Sequence, residues 1–230
     1  MPQLAALGYG LAALVFLLLA LTGLRQWRGW RHRRLFTVGA SLTAAWAALA
    51  SAEAAYAHSP SLPGLLLELL RNAAWLGLLL QLLEARRPAD SKRPAFLRLL
   101  FAASLALPLA LAADLAITAY SDTFPRLVPD LRHTGWLLMA LTGLILVEQV
   151  YRGARAEERW ALKFLCLGLG ALFIFDFYLY THLVLFGSVD AETWQARGFA
   201  AALVVPLLAL AASRQETKAT SIALSRRMVF

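Results

Sequence analysis

Runs of about twenty apolar residues, separated by short polar or basic stretches, recur from one end of this chain to the other. A helix rising 1.5 Å per residue needs about 20 such residues to cross the roughly 30 Å hydrocarbon core of a bilayer. The pattern predicts helices over 4–24, 35–57, 65–84, 96–119, 134–153, 161–186 and 198–213. The separators carry Pro, Gly, Ser or charge clusters, as in "HSPSLPG", "RRPADSKRP" and "GSVDAETWQARG". No fixed-period repeat occurs, and no connection is long enough to form a domain of its own. The expected fold is all-α: a polytopic membrane protein built as a bundle of seven transmembrane helices. Residues 1–213 form the membrane domain, and 214–230 form a tail leading to a signalling domain.

Composition agrees with that pattern. Hydrophobic residues make up 60% of the 230 residues and charged ones 16%, against about 45–50% apolar in a soluble domain. The single cysteine, Cys166, falls in an apolar run, which excludes an internal disulfide. The net charge of +8 is not spread evenly. Arg25, Arg28, Arg31, Arg33 and Arg34 crowd the first connection. Arg86, Arg87, Lys92 and Arg93 follow in the third, and Arg152, Arg155 and Arg159 in the fifth. The alternate connections hold only Arg126, Arg132 and Arg197. Basic loops stay on the cytoplasmic side, so the N-terminus is expected outside and the C-terminus inside. The charge is therefore a topology signal and contact with lipid headgroups, with no nucleic-acid partner expected. Trp27, Trp30, Trp136, Trp160 and Trp194 fall near the expected interfaces, where amphipathic rings are favoured.

Against this background the polar residues inside the spans stand out. "ELLRNAAW" places Glu68, Arg71 and Asn72 in the third span, and "FDFYLYTH" places Asp176, Tyr180 and His182 in the sixth. An intramembrane charge costs about 2.5–3.5 kcal/mol on insertion scales, so such residues pair with one another or serve a site. Glu68 and Arg71 have the i,i+3 spacing of a self-neutralising pair, with Asn72 bonding a neighbouring helix. Asp176 has no cation within a helical turn, which marks it as the group expected to respond to a signal. Glu68, Arg71, Asn72 and Asp176 are expected to face one cavity in the outer half, with Tyr180 and His182 nearer its mouth. Glu53 and Asp114 are weaker members, since either could reach headgroups near a span's outer end.

Several chemistries are excluded or disfavoured. Covalent retinal needs a buried lysine, and none of Lys92, Lys163 and Lys218 lies in the seventh span. The histidines lack metal-ligand spacing, and His58 and His133 fall in expected loops, so neither metal nor cofactor is expected. There is no phosphate-binding glycine loop, nucleophile elbow or HExxH. A small transporter or channel is the alternative to a receptor. It is disfavoured by an odd number of spans and the lack of an inverted repeat.

Two longer stretches and one short one carry a family resemblance: "VEQVYRGARAEERWALKFLCLGLGALFIFDFYLYTHLVLF" at 147–186, the end "ALVVPLLALAASR…SRRMVF", and "ELLRNAAW" at 68–75. Together they resemble the N-terminal membrane region of PEP-CTERM-system sensor histidine kinases of the PrsK type. The resemblance implies a sensory module that passes a periplasmic or membrane signal to cytoplasmic kinase domains, preceded by a GAF domain, and through them to a response regulator. It further implies a place in the inner membrane of a Gram-negative bacterium and control of exopolysaccharide and sorted-protein export. A homodimer is the state such kinases require, with "AALASAEAA" and "AASLALPLALAA" as small-residue faces. The chain holds no phosphoacceptor-histidine box and no ATP-binding glycine boxes, so it is itself expected not to be an enzyme.

Overall fold

A computed structural model describes residues 2–25, 32–56, 61–86, 95–120 and 129–214. The basic connections 26–31 and 87–94, His58 and the tail beyond Arg214 lie outside the described residues. Among the described residues there are seven helices: α1 Pro2–Arg25, α2 Arg33–Ala55, α3 Leu62–Glu84, α4 Ala95–Tyr120, α5 Pro129–Arg152, α6 Ala156–Phe186 and α7 Ala191–Leu203. Past Val204 the last helix continues through 205–214. The interruption falls two residues before Pro206, which has no N–H to close the preceding turn. All seven segments are long and apolar enough to cross a membrane, the last over Ala191–Arg214.

The sequence boundaries hold within a few residues except at three places. α5 begins at Pro129 and α6 at Ala156, each five residues earlier than expected. α7 begins at Ala191, so "AETWQAR" is helix rather than connection. Its start has a physical signature, with Asp190 at the N-cap in extended geometry and Glu192 in the first turn.

The helices alternate in direction, which gives the bundle two faces. The N-terminal face holds the starts of α1, α3, α5 and α7 and the ends of α2, α4 and α6. The C-terminal face holds the opposite ends of these helices. Six helices close a ring in which α1 packs on α2, α2 on α3, α3 on α5, α5 on α6, α6 on α7 and α7 back on α1. α4 stands outside the ring, in contact with α3 and α5. Burial follows from that placement: 56% of the span window of α3 is buried, against 22% for α4. Leu7, Leu14, Leu18 and Leu21 of α1 point outward, as a lipid-facing surface requires.

Lipid supplies no hydrophobic drive between helices, so close packing must hold them together. Glycines make that approach. A Cβ on Gly198 of α7 would lie 2.5 Å from Tyr9 N and 2.6 Å from Gly8 C of α1, so only hydrogen fits there. Gly143 of α5 likewise receives the ring of Phe173 of α6, and Gly168 of α6 receives Leu208. α7 is therefore divided: its first half leans on α1, and the continuation beyond Val204 leans on α6. At the C-terminal face Arg214 lies 3.3 Å over the ring of Trp160 and 4.3 Å over that of Phe164.

Candidate functional site

Within the ring, roughly 9–15 Å below the N-terminal face at 1.5 Å per residue, four charged side chains from three helices meet. They are Glu68 and Arg71 of α3, Asp176 of α6 and Arg197 of α7, each 2–3% exposed. Arg197 is the centre. Its Nη2 donates to Asp176 Oδ1 at 2.7 Å and also to Glu68 Oε1, and its Nε reaches Asp176 Oδ1 at 3.0 Å. Arg71 Nη2 donates to Asp176 Oδ2 at 2.6 Å. Tyr180 adds a neutral donor, its hydroxyl lying 2.5 Å from Glu68 Oε1.

Two carboxylates face two guanidinium groups, so the network is neutral as a whole. This answers why a membrane helix carries "ELLRNAAW", and it corrects three sequence expectations. Glu68 and Arg71 are not primarily each other's partner, since their closest approach is 4.0 Å and each bonds more tightly to another helix. Asp176 does not lack a cation, because α3 and α7 each bring one across the bundle. Arg197 is not a loop residue at the membrane edge, because α7 begins six positions before it. Asn72 is buried but belongs to neither the network nor the cavity above it.

Aromatic rings enclose the two arginines. The Arg71 guanidinium lies 3.8 Å over Trp46, and that of Arg197 lies 4.8 Å from Trp46, 5.6 Å from Trp194 and 5.7 Å from Tyr180. Desolvated contacts of this kind contribute about 2 kcal/mol or more, and here they cover cation surface that water would otherwise solvate. The rings are fixed in turn: Tyr9 meets Trp46 edge-on and donates to the Trp194 carbonyl at 3.0 Å, while Trp136 stacks on Tyr180 at 5.7 Å. Trp136 is 2% exposed, so its ring is packed inside the bundle. Arg71 Nε and Arg197 Nη1 have no hydrogen-bond partner among the described residues.

Above the network a cavity of about 660 Å³ occupies the mouth of the ring. All six ring helices contribute to its wall and α4 contributes nothing. Of the five network side chains only Glu68 and Tyr180 line it. Arg71, Asp176 and Arg197 instead border a void of about 10 Å³ on the other side, at the lower limit for one water. Glu53 of α2 also lines the cavity, with its Oε1 accepting from Ser61 N at 3.0 Å and from Ser61 Oγ. Gly64 makes room for that carboxylate, because a Cβ there would lie 3.0 Å from Glu53 Oε1.

The remaining sequence-selected residues fall elsewhere. His182 does not stand at the cavity mouth; it packs between Tyr178 at 4.8 Å and Phe186 at 5.1 Å along α6. Asp114 accepts from Arg132 at 2.7 Å, joining α4 to α5, and does not line the cavity. His133, expected in a loop, is on α5 and lines the cavity beside Arg132.

The fold and site describe a multi-pass membrane protein of seven helices, with a neutral four-charge network sealed beneath a polar and aromatic cavity. No protein-family model matches the chain, and neither a curated protein nor a solved structure does.

Proposed function

We propose that the chain is a membrane-embedded receptor module that reads occupancy of the cavity and passes it along α7 to the C-terminal side. One observation carries this reading: Glu68 and Tyr180 belong at once to the cavity wall and to the hydrogen bonds that hold Arg197 of α7. A ligand that draws on Glu68 or Tyr180 competes directly with Arg197. A ligand shifts an equilibrium only by its differential contact with two states, and here that contact is with the groups that hold α7 in place.

The break at Val204 then matters. The first half of α7 follows Arg197 and α1, while 205–214 follows α6 and is held at its end by Arg214 on Trp160. A small displacement of the first half becomes a change of angle at the break, the kind of shift between discrete packings that switching helices use. The basic first, third and fifth connections support an N-terminus outside and a C-terminus in the cytoplasm of a bacterial inner membrane. In that orientation the cavity opens outward. Such an output helix fits the resemblance to sensor histidine kinases, whose catalytic domains, response regulator and homodimeric state belong to the proposal. A carrier would need a route to the opposite face, and the void that Arg71, Asp176 and Arg197 border below the network measures about 10 Å³.

Filling the cavity without a known ligand tests the reading. Ala54, on the cavity wall, is replaced by cysteine in a Cys166→Ala background and reacted with benzyl methanethiosulfonate in nanodiscs. Amide exchange over 205–214 should change on modification. Unchanged exchange at complete modification would reject the receptor reading.

A further inference from the structure

We infer that the cavity takes an organic cation, a protonated or quaternary ammonium group on a compact apolar body; this rests on the receptor reading of the same site. The argument begins with charge. Among the described residues that line the cavity, pair with its wall or form the network directly below it, the carboxylates are Glu53, Glu68, Asp176 and Asp114. The guanidinium groups are Arg71, Arg197 and Arg132. Glu68 and Asp176 are balanced by Arg71 and Arg197, and Asp114 by Arg132. Glu53 is left over. Its Oε1 is fixed by Ser61, and no cation pairs with it among the described residues.

A carboxylate half-buried within a helix bundle and without a counter-ion is an expensive arrangement unless something positive visits it. Its setting is built rather than incidental. Ser61 contributes two donors to one oxygen, and Gly64 leaves the space that a side chain would fill. One turn further along α3 comes Glu68, so two carboxylates lie along one side of the cavity.

The other walls supply the second half of the recognition. Trp46, Trp136, Tyr180 and Trp194 all line the cavity. Aromatic faces joined to a carboxylate form the usual receptor for ammonium groups, through the negative ring faces. Three of these rings flank the Arg197 guanidinium at 4.8–5.7 Å, so cation contact is chemistry this aromatic shell already performs. Because Arg197 is neutralised by Glu68 and Asp176, it does not set a net positive field against an entering cation. A volume of about 660 Å³ accommodates an ammonium group with an apolar body of drug size. Among the described residues the basic groups on the wall are Arg132, held by Asp114, and His133.

An ammonium group can arrive as a free solute or as a phosphatidylethanolamine headgroup, and the test separates the two. The protein is placed in phosphatidylglycerol nanodiscs and titrated with benzyltrimethylammonium and with choline, following tryptophan fluorescence and thermal stabilisation. The neutral carbon isostere of choline, 3,3-dimethylbutan-1-ol, and the anion benzenesulfonate are run beside them. Saturable binding of the cations is expected, at least ten-fold tighter than the isostere. Glu53→Gln should weaken it ten-fold or more, and Glu53→Asp should recover part of the loss. Replacing the lipid by phosphatidylethanolamine should weaken free-cation binding if the headgroup occupies the site, and leave it unchanged if the ligand is a free solute.

Equal binding of the isostere, tighter binding of benzenesulfonate, or an unaltered affinity in a folded Glu53→Gln protein would each overturn the assignment. Failure here is distinct from failure of the receptor reading. Cation binding with unchanged exchange over 205–214 keeps the ligand class and removes the receptor. A response to the benzyl plug without cation binding does the reverse.

Discussion

Replacing Arg197 by glutamine removes the cation that Glu68 and Asp176 share and leaves two buried carboxylates with only Arg71 between them. Arg71 already gives its short bond to Asp176 and approaches Glu68 no closer than 4.0 Å. Glu68 would keep only the Tyr180 hydroxyl at 2.5 Å as a close partner. Breaking a buried ion pair by removing one member costs about 3–5 kcal/mol, since the other charge stays buried. For a chain of this size each kcal/mol lowers Tm by about 2–4 °C, so Arg197→Gln should lose about 6–20 °C. Asp176→Asn should lose a similar amount, because it strands both guanidinium groups over one carboxylate. The double variant restores neutrality, leaving Glu68 opposite Arg71, and should cost at least about 1 kcal/mol less than the sum of the singles. The assay is thermal unfolding in nanodiscs, followed by helical circular dichroism. Single variants within about 2 °C of the parent, or strict additivity in the double, would refute the picture of a mutually neutralised network.

The close approach of α1 and α7 makes Gly198→Ala a sharp test of packing. Its Cβ would meet backbone atoms at 2.5–2.6 Å that cannot swing aside, so a loss of at least about 1–3 kcal/mol is expected in the same melt. A neutral substitution there would mean the helices are not in contact as described. Trp160→Leu should remove the ring beneath Arg214, at a cost of only about 0.5–1 kcal/mol because Trp160 is 62% exposed. The visible effect should be faster amide exchange in 205–214, and unaltered exchange would show that the contact does not hold the helix end. Orientation is read by labelling cysteines placed at Ser188 and Gly153, both exposed and on opposite faces. Ser188→Cys should react with an impermeant thiol reagent from outside and Gly153→Cys only from inside; the reverse pattern would invert the proposed topology.

The spans were legible because helix length and apolar content are local properties that lipid enforces on every segment. Glu68, Arg71, Asp176 and Tyr180 were legible for the same reason, since a polar group in an apolar run must find a partner. Which partner it finds was not, because pairing depends on helices 105 and 129 positions apart along the chain. Arg197 was missed through a boundary error. The polar run "VDAETWQAR" reads as a connection by hydropathy, although Asp190 followed by Glu192 is a helix start. A charge count would also have flagged it, since two intramembrane carboxylates with one arginine leave one cation owing at the same depth. His182 misled because it follows Tyr180 by two positions, which on a helix turns it to the opposite side. The cavity had no signal in any single segment. It exists because six helices close a ring and α4 stays outside.

The central claim, that the cavity wall sets the position of the last helix through Glu68 and Arg197, is tested most directly at Tyr180. Tyr180→Phe removes one hydroxyl bond to Glu68 and leaves every charge and ring in place. Spin labels at Gly153→Cys and Ser213→Cys, in the Cys166→Ala background, report the distance between the ends of α5 and α7 by double electron–electron resonance in nanodiscs. The account predicts a displaced or second distance population in the Tyr180→Phe protein. A distribution identical to that of the parent would contradict it.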